Sequence, residues 1–100
     1  MATEFGRTAR PNGSGGTDHG TGGAAFLLGG AIEGGFVRAE WVGLKPDALK
    51  DGRDQAPRTD LRALFKGVLA QHMGAPRTAL DSVVFPESGS VAPLPRLIRA

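Results

Sequence analysis

The segment Gly15-Gly16-Thr17-Asp18-His19-Gly20-Thr21-Gly22-Gly23 stands out as a place where neighbouring side chains could do chemistry. Aspartate offers a hard oxygen ligand and histidine a borderline nitrogen ligand, the pairing used for zinc and related divalent ions. Adjacent residues on a strand point apart, but at a turn both can face one ion. Glycines on each side let the backbone fold closely around an ion and leave room for substrate. An Asp-His dipeptide alone is a weak signal, and a solvated polar loop is the simpler reading. Glu4 and Arg7 precede this loop. They fit an acid and an anion-binding cation beside it, or equally an ion pair that supports it.

Other chemistry-bearing residues weigh less. His72, the second of two histidines, falls on an apolar helical stripe and reads as a packed or edge histidine. Trp41 reads as cover for a sheet. Thr17 and Thr21 carry hydroxyls, but no activating base is in reach along the sequence. Gly20-Thr21-Gly22 with Ala25 grazes a dinucleotide fingerprint, yet no strand precedes it and no helical pattern follows. A P-loop is excluded because the Gly-Lys-Ser/Thr ending is missing.

The elements that must position these residues are legible in outline. Residues 1–23 read as a long glycine-rich loop, with Pro11-Asn12-Gly13-Ser14-Gly15-Gly16 as turn chemistry. Ala24–Leu28 is a short apolar run between glycines, which predicts a buried strand near 24–29. From Phe36 to Trp41 the pattern alternates, with Val37, Ala39 and Trp41 on one face, and predicts a second strand over 36–41. Gly34-Gly35 suits a hairpin between them. Residues 43–58 read as loop. A helix over 60–73 follows, with Thr59 at its N-cap and Asp60 in the first turn. Its apolar stripe runs Leu61, Leu64, Phe65, Val68, Leu69, His72. Gly74 and Pro76 stop it. A second short helix is expected over 77–84, and residues 89–100 as a flexible tail.

Composition narrows the class. One hundred residues allow one small domain, burying roughly 60–70% of the surface its unfolded chain exposes. Eleven of the sixteen glycines lie in residues 1–35, a stretch that brings little to a core. A self-sufficient small domain rarely opens this way. The twelve basic and ten acidic residues are mixed along the chain, and no run of like charge points to nucleic acid or an anionic membrane. No cysteine is present, so disulfides, zinc knuckles and thiol chemistry are excluded. No apolar stretch approaches a transmembrane segment, and no signal pattern follows Met1.

Several pieces in order resemble the family known as domain of unknown function 1501. They are Thr3-Glu4-Phe5-Gly6-Arg7-Thr8 and Asn12-Gly13-Ser14-Gly15-Gly16-Thr17-Asp18-His19-Gly20, then Phe26-Leu27-Leu28-Gly29-Gly30. Asp51-Gly52-Arg53-Asp54, Thr59-Asp60-Leu61-Arg62 and Val83-Val84-Phe85-Pro86 follow. The likeness covers roughly residues 2–88. The family is similar to the alkaline phosphatase and sulfatase superfamily, which implies an α/β fold and a late Asp-His-Gly step that supplies metal ligands. By that resemblance Asp18 and His19 bind a divalent metal, zinc among the candidates. Relatives are implied to be longer, and exported in folded form by the twin-arginine route to the periplasm or another extracytoplasmic space.

The resulting expectation is the C-terminal portion of an alkaline-phosphatase-like α/β/α sandwich, incomplete as a domain, over residues 1–88. The superfamily's nucleophile and first metal carboxylates are expected upstream, in sequence this chain lacks. The functional expectation is a fragment of a metal-dependent phosphate- or sulfate-ester hydrolase-like protein, inactive alone. Its expected partner is the missing N-terminal part of the fold, which could pair with open strand edges. The alternatives are a non-catalytic structural or binding module of an exported protein, or a broken reading frame with no function of its own.

Overall fold

The computed structural model describes residues 1–35 and 37–99. The chain forms two compact units, Met1–Leu27 with Arg38–Arg58, and Leu28–Val37 with Thr59–Ala100.

The first unit is organised by hydrogen bonds rather than by an apolar core. Strands β1 (Gly6–Arg7) and β2 (His19–Gly20) pair antiparallel, with Gly6 opposite Gly20 and Arg7 opposite His19. The chain between them closes on Asn12. Its Oδ1 accepts from the amides of Ser14 and Gly16, both at 3.0 Å. An asparagine that bonds the backbone two residues on replaces ladder contacts with a local turn. The 43–58 loop contains a second tight turn, where Lys50 N donates to Asp54 O at 2.8 Å and Asp54 N returns to Lys50 O at 3.1 Å.

The strands expected near 24–29 and 36–41 do not form among the described residues; Phe36 lies outside them. Phe26 exchanges two backbone bonds with Met1, and no ladder extends from them. Leu28 is 82% exposed, so the apolar run is not a buried strand. Alternation alone makes no strand without a partner to satisfy its amides. Val37 and Trp41 are correspondingly exposed, and Trp41 covers no sheet.

The second unit holds the helices. Helix α1 spans Leu61–Met73. Its N-cap is Asp60 rather than Thr59, because the Asp60 carboxylate accepts from Arg62 N at 2.9 Å and is clasped by the Arg62 guanidinium. Gly74 ends it in the left-handed conformation, as the sequence predicts, with its N–H on Ala70 O. Pro76 then opens α2 (Arg77–Ala79), which runs into a π-helical turn over Leu80–Val84. The expected second helix is therefore present in two pieces.

The buried face of α1 is not the expected stripe. Leu61 and Phe65 are 38% and 41% exposed, whereas Ala63, Lys66 and Gly67 are buried. Small residues decide this, because they admit backbone. A Cβ on Gly67 would lie 2.6 Å from both Leu94 O and the Leu97 Cδ1. Residues 88–99, expected to belong to a flexible tail from 89, are laid along this face. Leu94 N donates to Ala63 O at 2.9 Å. The Gln71 side chain donates to Leu94 O and accepts from Leu97 N and Ile98 N. Lys66, wholly buried, donates to Asp81 Oδ1 (2.5 Å), Ser88 O (2.7 Å) and Val91 O (2.9 Å). Leu80 and Leu97 complete a small core. Among the described residues no helix is long and apolar enough to cross a membrane.

Candidate functional site

The Asp18-His19 pair sits where the glycine-rich loop becomes β2. Thr8, buried just past β1, fixes this point from the opposite arm. Its N–H donates to Asp18 O at 3.0 Å, and its Oγ1 accepts from Asp18 N at 3.1 Å. The pair thus stands on a backbone held from two directions.

The two side chains have different surroundings. Asp18 Oδ1 accepts from Asn12 Nδ2 at 3.1 Å, and Oδ2 faces Arg53 Nη2 at 3.4 Å. The Asp18 and Arg53 side chains are each about half exposed, so their attraction is screened by water. His19 packs on the Phe5 ring with centroids 4.2 Å apart and a 30° tilt. Neither imidazole nitrogen has a hydrogen-bond partner among the described residues. An imidazole with both nitrogens open and a carboxylate loosely held by a cation are chemically suited to ligate a divalent ion. The donor set stops there. Among the described residues no group of three or more His, Asp or Glu side chains could hold a metal ion.

Glu4 and Arg7 do not form an ion pair, and among the described residues neither side chain has a hydrogen-bond partner. Arg7 lies opposite His19 in the strand register. His72, expected as a packed or edge histidine, is exposed in the last turn of α1.

The neighbours that hold the pair are ones sequence reasoning assigned no role. Arg53 reaches Asp18, and its carbonyl accepts from Ala9 N and Arg10 N at 3.0 and 3.2 Å. Asp54 receives Thr21 N at 2.6 Å and Thr21 Oγ1 at 2.7 Å on Oδ2. These donors hold its carboxyl below the usual aspartate range, with the Thr21 amide the largest cause. The signal was present as Asp51-Gly52-Arg53-Asp54, but 33 residues separate Thr21 from Asp54 and spacing along the chain cannot join them.

Residues 1–84 match the family described as "Protein of unknown function (DUF1501)". No curated protein and no solved structure matches the chain. The matched span is most of the sequence, so the chain belongs to the DUF1501 family.

Proposed function

We propose that this chain supplies two ligands, Asp18 and His19, to the divalent-metal centre of a phosphate- or sulfate-ester hydrolase-like protein with an α/β/α sandwich. Zinc is the favoured ion, since one carboxylate and one imidazole suit it. The observation that carries the reading is the open imidazole of His19 and, one residue before it in the chain, a carboxylate held by an exposed cation and an amide. A catalytic zinc site needs about three protein ligands, and the described residues offer two here. In this reading the remaining ligands and the nucleophile are supplied by other parts of a larger fold, and the chain by itself is inactive. A bound ion would polarise the ester oxygen and activate the nucleophile. In this scheme Thr8 fixes the backbone beneath the ligands, Phe5 sets the plane of the imidazole, and Arg7 is an exposed cation opposite His19 for an anionic substrate.

The test is a zinc titration followed at the His19 ring resonances. Shifts that saturate in the wild-type chain and vanish in Asp18→Ala support the reading. A His19 ring indifferent to millimolar zinc overturns it.

A second reading is favoured by the bonds of Asp18 itself. Both its oxygens face donors, Asn12 and Arg53; we infer a non-catalytic module in which Asp18 orders the loop. Under that reading Asp18→Asn unfolds the 12–18 turn with or without zinc.

A further inference from the structure

The Asp51-Gly52-Arg53-Asp54 turn has no part in the scheme above beyond its contact with Asp18. Its last two residues bracket the Asp-His pair. Arg53 meets Asp18 on one side, and Asp54 receives both donors of Thr21 on the other. Asp54 is 7% exposed, and its Oδ1 is buried with no hydrogen-bond partner among the described residues. A buried acceptor without a donor is costly and calls for a reason. Gly20, between His19 and Thr21, lies against this oxygen. A Cβ there would stand 2.5 Å from Asp54 Oδ1, so the carboxylate is seated against the backbone of β2. The seat requires glycine at that position, and it places a fixed negative charge one residue beyond His19.

We infer that Asp54 is the positioning residue of the Asp18-His19 pair, acting through Thr21 and the Gly20 backbone. The inference rests on the metal-ligand reading for its purpose. The two Thr21 donors lie 2.6 and 2.7 Å from a buried carboxylate, so this clamp is firmer than the Arg53 contact, which is 3.4 Å long and screened by water. Asp54 is itself held by backbone bonds in both directions to Lys50, so the clamp is anchored to its own turn. Groups behind metal ligands set the affinity of a site by fixing ligand orientation.

The experiment compares the full chain with Asp54→Asn, Thr21→Val and Thr21→Ser by amide and imidazole NMR, with zinc as the probe. Asp54→Asn should shift the amide resonances of Asp18, His19 and Thr21, leave those of α1 in place, and weaken zinc binding at His19 about 10–100-fold. Thr21→Val should move the same signals in the same direction, and Thr21→Ser should restore them. Wild-type resonances at Asp18 and His19 in both Asp54→Asn and Thr21→Val would overturn the assignment. If Asp54→Asn fails to fold, the Val and Ser pair decides. If the wild-type chain takes no zinc at His19, the metal reading fails, and the positioning role is still judged by the Asp18 and His19 amides.

Discussion

The ammonium of Lys66 lies 2.5 Å from the carboxylate of Asp81, and no part of the lysine side chain reaches solvent. Three acceptors surround it, and Arg77 holds the far oxygen of Asp81 at 2.8 Å. A helix, a helical turn and the chain beyond it therefore meet at one buried charge.

Replacing Lys66 with Met keeps the stem and removes the donors. The Val91 carbonyl and Asp81 Oδ1 then lose their lysine donor, whereas Ser88 O keeps the Val91 amide, and each part-buried acceptor left unpaired costs about 1–3 kcal/mol. Urea unfolding of Lys66→Met should show a lower midpoint with residues 88–91 exchanging amide protons early. Unchanged exchange at those residues would mean that the lysine does not hold them.

Acid should weaken both units. Asp81 is held below the usual range chiefly by Lys66, Asp60 chiefly by the Arg62 side chain, and Asp54 chiefly by Thr21. Each folded value is depressed relative to an unfolded value of about 3.9. Their stabilisation is therefore present above about pH 4 and is lost as pH falls through the folded values. Asp81→Asn should flatten the acid limb of the second unit. An acid limb that keeps its wild-type slope would remove Asp81 from the account.

Two adjacent cap-forming residues precede α1, and only one caps it. Asp60→Ala should cost about 1 kcal/mol. Thr59→Ala should stay within about 0.5 kcal/mol, because its hydroxyl makes no capping bond. Thermal unfolding of the two variants would expose a reversed order at once.

Gly67→Ala sets two effects against each other. Alanine favours a helix over glycine by about 1 kcal/mol. The new methyl, however, would meet Leu94 O at 2.6 Å, and backbone cannot swing aside like a flexible side chain. Overpacking of about 1–3 kcal/mol should win, giving net destabilisation with the 94–98 segment lifted from α1. A more stable variant with that segment still docked would contradict the packing.

The parts legible in the sequence are those governed by near neighbours. The stop at Gly74, the start of α1 to within a residue, and the break before Pro86 each depend on a few adjacent side chains. Two capping candidates stood side by side, and Arg62 decided between them by clasping Asp60. Apolar periodicity points to a different face of α1 than the one buried, because it counts bulk, whereas the approaching segment needs the small side chains of Ala63 and Gly67. The runs at 24–29 and 37–41 have the composition of strands, but the described residues give them no ladder to join. At the candidate site, Asp18 and His19 were singled out by type. Thr8, Arg53 and Asp54 do not stand out, because Thr8 and Arg53 meet Asp18, and Asp54 meets Thr21, across a stretch of chain that spacing does not join.

Gln71 holds the segment beside it through peptide groups alone: a carbonyl at Leu94 and amides at Leu97 and Ile98. Every residue except proline carries those amides, and every residue carries that carbonyl. The grip is thus blind to the letters at 94 and 98. Over evolutionary time those positions can drift while the docking persists, and selection falls on Gln71 itself and on the one leucine that fills the core.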